Sequence, residues 1–252
     1  MVKRDELVEY LDTFLRIAEI EDVSNNGLQV EGGEEIEKVA FAVDACHEAF
    51  RRAGEAGARM IISHHGLFWG KPLMLKGTHR ERIALLLDSS LSLYAAHLPL
   101  DIHPRVGNNV QLLRLLGLSP EERRFGEYHG SLLGFMGRFG KPMDRDELVE
   151  ILERALGVSM TVLPFGPREV TTVGIISGGA ADMAVQAGEA GADLYLTGEP
   201  SHSAYHQIAE RGLNVVYGGH YATETLGLKA LAAHLSERFK LETEFLDIPT
   251  GF

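Results

Sequence analysis

An internal repeat is the feature of this sequence that most constrains its fold. Segment 40–63 (AFAVDACHEAFRRAGEAGARMIIS) and segment 174–197 (GIISGGAADMAVQAGEAGADLYLT) each contain an apolar run, a helical stretch, the shared phrase AGEAGA and a second apolar run. Short buried strands that alternate with helices are typical of α/β folds with parallel sheets. The repeat therefore predicts an α/β protein built from two related modules with largely parallel sheets.

The repeat extends to residues that can carry chemistry. The segments LYAAHLPLD and VYGGHYATE also align, so that His97 pairs with His220. In the same alignment Asp101 pairs with Glu224. A histidine followed by a carboxylate four residues later thus occurs twice, each time after a predicted strand. Ligands of open α/β sheets gather beyond the carboxyl ends of the strands. We therefore expect these side chains to converge in one cleft between the two modules.

Local patterns predict further elements and the division of the chain. Apolar periodicity predicts a helix over 5–18, and Asn108 and Asp144 are candidate N-caps of two later helices. We expect a first α/β module over 1–125 and a second over 126–252. Whether the C-terminal part packs back on the first module stays open.

Composition excludes several classes of function. The formal net charge of -12 disfavours nucleic-acid binding, which needs clustered Lys and Arg. The single cysteine, Cys46, allows neither an intrachain disulfide nor a cysteine-based zinc site, which fits a reducing cytoplasm.

The charged N-terminal segment lacks a signal-peptide core, and no apolar run approaches the roughly eighteen residues of a membrane span. We expect a cytoplasmic protein that contacts no membrane.

Five polar residues have the chemistry of metal ligands, namely His64, His65, Asp101, His220 and Glu224. Imidazoles and carboxylates suit Zn, Mn, Fe, Co or Ni and do not select among them. Two ions at the roughly 3.5–4 Å separation of two-metal sites need a bridging group, for which Asp101 and Glu224 are candidates. Consecutive residues on a regular strand point to opposite faces, but at a strand end both histidines can reach a cleft.

Each of these residues also has an ordinary structural explanation. Paired histidines are often only surface polarity, Asp101 could cap a turn, and Glu224 could stabilise a helix macrodipole. His97 is a candidate general acid, or a histidine satisfied within the core or a loop. These alternatives stay open at the level of sequence.

Four other residues are weaker candidates. Asp44 ends a predicted strand and could approach the cleft. Trp69 is either a core aromatic or part of a lid. His202 and His206, four residues apart, fit an exposed helix face better than a second metal site.

Five segments taken together resemble a known family. They are NGLQV (26–30), SHHGLFW (63–69), AHLPLD (96–101), GNN (107–109) and GHYATE (219–224). Their order and spacing resemble the Nif-three-like dinuclear-metal family, whose members are often called GTP cyclohydrolase type two homologues. The resemblance covers nearly the whole chain. Tyr221 departs from the pattern, because a second histidine is common there, but that position is not a ligand.

The resemblance implies a fold, a site and an assembly. The fold would be two interlocked α/β modules with a two-metal site, and the assembly a ring-shaped homohexamer whose sites face an interior cavity. The matching ligand positions are His64, His65, Asp101, His220 and Glu224. Family membership alone does not settle an activity.

Three functions are compatible with a dinuclear site. In a metal-dependent hydrolase, a metal-bridging hydroxide would attack a small-molecule substrate such as a GTP-cyclohydrolase-like cyclic amide or a phosphoester, and His97 would protonate the leaving group. A metal carrier or metallochaperone would have the same ligands without a positioned acid. A regulatory scaffold would use the metals to stabilise its assembly.

Overall fold

The computed structural model describes residues 1–252, which form two compact units. Unit 1 comprises Met1–Val106 and Gly227–Ile248, and unit 2 comprises Gly107–Leu226 and Pro249–Phe252. The division falls at Gly107 rather than after residue 125, and most of the C-terminal segment belongs to unit 1. The fold is mixed α/β, as the sequence predicts.

The elements follow one another in a regular α/β order. In the N-terminal part they are β1 (Val2–Lys3), α1 (Arg4–Leu15), β2 (Gly27–Val30), β3 (Glu35–Ile36), β4 (Lys38–Asp44), α2 (His47–Glu55), β5 (Met60–His65), α3 (Thr78–Asp88), β6 (Ser92–Ala95) and α4 (Leu98–Asp101). Unit 2 contains α5 (Asn108–Leu115), β7 (Arg124–Tyr128), β8 (Ser131–Asp144), α6 (Arg145–Leu156), β9 (Thr161–Pro164), β10 (Glu169–Ile175), α7 (Ala184–Glu189), β11 (Leu194–Thr197), α8 (Tyr205–Arg211) and β12 (Asn214–Tyr217). Helix α9 (His220–Phe239) begins in unit 2 and ends in unit 1, where β13 (Glu242–Phe245) follows.

Unit 1 contains a five-stranded sheet in the order β13-β4-β5-β6-β2. Its strands are parallel except for β2, which is antiparallel to β6. Strands β4 and β5 are continuous apolar runs because both faces of a parallel sheet are covered. Fully buried side chains such as Phe41, Phe50, Ile61, Leu86 and Leu93 form the interior. A small antiparallel pair of β1 and β3 completes the unit.

Unit 2 contains a six-stranded mixed sheet in the order β7-β8-β10-β11-β12-β9. The three central strands β10, β11 and β12 are parallel, and the outer pairings are antiparallel. Its apolar core includes the buried residues Leu113, Leu148, Leu152, Val173 and Leu196. No helix of the chain is both long enough and apolar enough to cross a membrane.

Parallel strands bring polar residues together at one edge of each sheet. In unit 1, β4, β5 and β6 run in the same direction, so Asp44, His65 and His97 lie at or just beyond their carboxyl ends. In unit 2, Glu199 follows β11 and His220 follows β12 in the same way. The order β4-α2-β5 matches β10-α7-β11, as the sequence repeat predicts.

The two predicted helix caps have different outcomes. Asp144 is the N-cap of α6, since its side chain accepts hydrogen bonds from the amides of Asp146 and Glu147. The prediction for Asn108 is wrong by one residue, because Gly107 is the N-cap of α5 and Asn108 is a buried residue of its first turn.

Candidate metal centre

Three histidines of unit 1 lie side by side. His64 and His65 end β5, and their ring centroids are 4.8 Å apart. The ring of His97 lies 5.1 Å from that of His64 and 5.6 Å from that of His65. Their ligand nitrogens all lie within 4.8 Å of one another, so this group could hold a metal ion. At the end of the strand, the side chains of His64 and His65 thus lie close together instead of on opposite faces of the sheet.

Hydrogen bonds fix the orientation of the two strand histidines. The Nδ1 atom of His64 lies 2.8 Å from the carbonyl oxygen of Ala96. The Nδ1 atom of His65 lies 2.9 Å from a carboxylate oxygen of Asp44. Both oxygens only accept, so each Nδ1 carries the ring proton and each Nε2 keeps its lone pair for a cation. Asp44, an open candidate in the sequence, thus orients His65.

A buried carboxylate orients His97. The Nδ1 atom of His97 lies 3.1 and 3.0 Å from the two oxygens of Asp22, whose side chain is 1% exposed. Asn26 and the amide of Leu98 also donate to this carboxylate. Burial raises the pKa of Asp22, but hydrogen bonds, above all that from His97, outweigh it and hold the pKa at about 2. Asp22 therefore stays ionised and fixes the tautomer of His97.

Asp101 completes the unit 1 group. It is the last residue of the single turn α4, which begins directly after His97. One of its carboxylate oxygens lies 3.5 Å from the Nε2 atom of His64, and the residue is 5% exposed. Residues four apart lie on the same side of a helical turn, which explains the His-x-x-x-Asp spacing. Unit 1 thus brings together His64, His65, His97 and Asp101.

The remaining two predicted ligands meet in unit 2. The Nε2 atom of His220, the first residue of α9, lies 3.1 Å from a carboxylate oxygen of Glu224 one turn later. Its Nδ1 atom lies 3.3 Å from a carboxylate oxygen of Glu199. The hydrogen bond to Glu224 raises the pKa of His220 to about 9 against the effect of burial, and Glu199 acts in the same direction. The surroundings of His220 therefore favour a positive charge.

Glycines make room for the unit 2 group. Gly178 has a φ of +67°, and a Cβ atom there would lie 2.1 Å from a carboxylate oxygen of Glu224 and 3.2 Å from the Nε2 atom of His220. A Cβ atom at Gly179 would lie 3.0 Å from a carboxylate oxygen of Glu199. Only glycine combines this backbone conformation with so close an approach. The loop after β10 is therefore shaped around the carboxylates.

Sequence reasoning missed two residues of these groups, Asp22 and Glu199. The repeat itself could have revealed Glu199, because the alignment that pairs segment 40–63 with 174–197 continues to pair His65 with Glu199. Asp22 lies in a loop, 75 positions before His97, and no local pattern connects the two. Long-range contacts of this kind appear only once the chain is folded.

The weaker candidates have separate outcomes. The ring of Trp69 lies edge-on to that of His97, with centroids 5.1 Å apart, and the residue is 37% exposed. Trp69 therefore lies beside the histidines and not within the core. His202 and His206 are exposed, as expected for a solvated helix face.

The fold and these side-chain groups define an α/β protein with candidate sites for divalent metal ions. The family model described as Duf34/NIF3 (NGG1p interacting factor 3) matches residues 2–250. The chain belongs to this family, in agreement with the resemblance seen in its sequence.

Relatives match over their full length. A protein of Archaeoglobus fulgidus named GTP cyclohydrolase 1 type 2 homolog is 48% identical, with 98% of each chain covered. A Pyrococcus abyssi protein of the same name is 45% identical over 99% of this chain and 100% of its own. The crystal structure of TTHA1606 from Thermus thermophilus superposes with a TM-score of 0.90 at 45% identity, covering 100% of both chains.

Proposed function

We propose that this chain binds two divalent metal ions and hydrolyses a small molecule at them. The proposed ligands are His64, His65, Asp101, His220 and Glu224. Three of them lie in unit 1 and two in unit 2, and neither set alone offers enough donors for two ions. We therefore propose that both sets serve the same pair of ions, with Asp101 and Glu224 as the bridging candidates.

The residues present fit divalent cations. The three histidines among the proposed ligands, namely His64, His65 and His220, have their Nδ1 atoms next to an acceptor. Histidine ligands of metal ions typically have this arrangement, in which the outer hydrogen bond fixes the ring and raises its basicity. The combination of imidazole nitrogens and carboxylate oxygens suits Zn, Fe, Mn, Co or Ni.

The Asp22–His97 pair is the observation that favours catalysis over metal transport. A carrier needs ligands but has no use for a positioned acid. When bound, two divalent ions would supply Lewis acidity and activate a water molecule. Our proposal assigns to His97 the protonation of the leaving group through Nε2. With Nδ1–H held by Asp22, Nε2 would first take up a proton from the attacking water molecule and then pass it to the leaving group. Asp22 would be a positioning residue, because its carboxylate holds Nδ1 of His97 and never meets the substrate.

The proposed substrate class is a cyclic amide or a phosphoester. Both are attacked at an electrophilic centre that a cation polarises, and both release a group that needs a proton. The relatives' name, GTP cyclohydrolase 1 type 2 homolog, makes GTP the first cyclic-amide-containing probe to test.

Elemental analysis tests the shared metal pair. We expect about two metal ions per chain in untagged protein reconstituted with each of the five metals in turn. His65→Ala in unit 1 and Glu224→Ala in unit 2 should each lower the content of both ions, because the pair is shared. His206→Ala, which removes an exposed histidine, is the matched control and should leave the content unchanged. Near-zero metal in the native protein, or loss of only one ion in each variant, would contradict the proposal.

Turnover separates catalysis from metal binding. Metal-loaded protein is assayed with GTP, dihydrouracil and p-nitrophenyl phosphate. His97→Ala should keep its metal and lose about 10²–10⁴-fold in rate, the usual contribution of a general acid. Asp22→Asn should lower kcat more than it changes KM and shift the pH profile. Equal rates in wild-type and His97→Ala protein would refute the role of His97, and rapid metal exchange without turnover of any probe would favour a carrier.

We also propose the ring-shaped homohexamer that the family resemblance implies. Light scattering coupled to gel filtration tests it directly, and a monomer or dimer at micromolar concentration would refute it.

A further inference from the structure

A second polar and aromatic pocket lies in unit 1, between α1, the C-terminal part of α9 and the turn after α4. It has a volume of about 450 Å³ and is lined by Tyr10, Arg105, His234, Glu237 and Arg238. None of these residues belongs to the candidate metal centre. We refer to it as the α1–α9 pocket.

The rings of Tyr10 and His234 form the floor of this pocket, and both stack on Phe14. Tyr10 and Phe14 are nearly parallel, with an interplanar angle of 11°, and Phe14 and His234 are stacked at 10° with centroids 4.4 Å apart. Tyr10 and His234 are joined at their edges, because the Tyr10 hydroxyl lies 2.5 Å from Nε2 of His234. The planes of these two rings are inclined by 20°, so they form one nearly flat plate supported by Phe14. Phe239 lies edge-on to Tyr10, with ring centroids 4.9 Å apart, and borders the plate. Such a plate offers a stacking surface for a planar ring system.

The hydrogen bond between the rings of Tyr10 and His234 determines which nitrogen of His234 carries the ring proton. A phenol is a stronger donor than a neutral imidazole, so Tyr10 donates to Nε2 and the ring proton of His234 lies on Nδ1. Burial lowers the pKa of His234, and the charges of Arg105 and Arg238 lower it further, which keeps this ring neutral. The donor of this neutral ring is then Nδ1–H.

Two guanidinium groups lie over aromatic rings of this pocket. Arg105 lies 5.7 Å from the ring centroid of Phe14, and Arg238 lies 5.9 Å from that of Tyr10. Both side chains are exposed, and Glu237 is the one carboxylate among the lining residues. Two arginines at one small pocket are a local concentration of positive charge in a chain of net charge -12. Guanidinium forks bind phosphate oxygens in pairs.

We propose that the α1–α9 pocket binds a nucleoside monophosphate. The base would stack on the plate of Tyr10 and His234, and the phosphate would lie between Arg105 and Arg238 with Nδ1–H of His234 as a further donor. A volume of about 450 Å³ falls in the range of small-molecule sites. A polynucleotide fits less well, because the rest of a strand would meet a strongly negative protein. This site functions independently of the proposed metal centre.

Calorimetry with AMP tests the proposal. Titrations use full-length, chelator-dialysed protein and the His65→Ala, Glu224→Ala double variant, so that binding at the metal ligands is excluded. AMP should bind both proteins equally, and at least about tenfold more tightly than adenosine, ribose 5-phosphate or inorganic phosphate, because only AMP uses both plate and arginines. Saturation-transfer NMR should show contact with the base protons.

Matched variants identify the pocket. Arg105→Gln and Arg238→Gln should each weaken AMP binding about tenfold, the effect of one charge-assisted contact. Tyr10→Phe keeps the ring but removes the hydroxyl that fixes His234, and should weaken binding several-fold while circular dichroism stays unchanged. Arg80→Gln, which removes an exposed arginine on α3, should have no effect.

Four results would overturn the proposal. They are the absence of AMP binding, equal affinity for inorganic phosphate, loss of binding in the double metal-ligand variant, and tighter binding of a single-stranded oligonucleotide than of AMP. A change of oligomeric state in the arginine variants without weaker AMP binding would equally overturn it, since the pocket would then be a contact between copies of this chain.

Discussion

Replacing Gly178 by alanine should disable the unit 2 ligands without removing any of them. The added Cβ atom would lie 2.1 Å from a carboxylate oxygen of Glu224, far inside van der Waals contact. Glu224 is 2% exposed, so its carboxylate must leave its position through a packed interior. The same Cβ atom would lie 3.2 Å from Nε2 of His220. Both proposed ligands of unit 2 would therefore be displaced.

Gly157→Ala is a matched control for this change. Gly157 has a φ of +71°, close to the +67° of Gly178, but a Cβ atom there would meet nothing within 4 Å. Both variants should lose about 1–2 kcal/mol of unfolding free energy, because both force alanine into the left-handed region. Gly178→Ala should lose roughly 1–3 kcal/mol more, because its Cβ atom overlaps the buried Glu224 carboxylate. Only Gly178→Ala should also lose metal affinity. Changes in groups that merely orient a ligand cost about 10–100-fold, so displacing the ligands themselves should cost at least about a hundredfold.

Two measurements on each variant separate strain from displacement. Urea denaturation in the presence of a chelator gives the unfolding free energy, and competition with a chromogenic chelator gives the metal affinity. The expected result is a moderately lower stability and a much lower metal affinity in Gly178→Ala than in Gly157→Ala. If Gly178→Ala bound metal as tightly as Gly157→Ala, the carboxylate of Glu224 would not be a ligand in the position described.

Three further changes test other parts of the site. Asp44→Asn should lower metal affinity about 10–100-fold by weakening the orientation of His65, and unchanged affinity in the chelator competition would contradict this. Asp22→Asn should lower the unfolding free energy at pH 7 by about 2 kcal/mol, because the pKa of Asp22 falls from 3.8 to about 2 on folding. That contribution exists above pH 3.8 and fades as the pH falls through about 2, so urea curves of variant and wild type should converge in acid, and a constant difference would disprove it. Free metal at a hundred times its Kd should stabilise the chain by about 2.7 kcal/mol over chelator-treated protein, and a melting temperature independent of metal would argue against a specific site.

Much of the fold follows from local patterns in the sequence. The apolar runs of β4 and β5 and the shared phrase AGEAGA specify strand, helix and strand without reference to the rest of the chain. The pairing of β13 with β4 could not be predicted in this way, because it joins residues about two hundred positions apart in sequence. The return of Gly227–Ile248 to unit 1 includes that pairing, which is why this part of the division could not be read from composition.

The candidate site shows the same limit. Ligand-type residues such as His65 and Glu224 are recognisable from their chemistry and from their positions after strands. The groups that orient them are not, since a carboxylate in a loop has no periodic signature. Asp22 becomes meaningful only when folding places it 3.0 Å from Nδ1 of His97. The tight approach at Gly178 depends on Glu224, which is distant from it in the sequence.

The discontinuity of unit 1 has a consequence for biosynthesis. Strand β4 leaves the ribosome early, but its outer neighbour β13 is made only after nearly all of unit 2. At about 5–20 residues per second, the nascent sheet waits roughly ten to forty seconds with the backbone groups on the outer edge of β4 unpaired. Open strands of this kind pair readily with other chains. Stalled or truncated products that end between Leu226 and Glu242 should therefore aggregate or require a chaperone, even though unit 2 within them is complete apart from the last four residues, Pro249–Phe252.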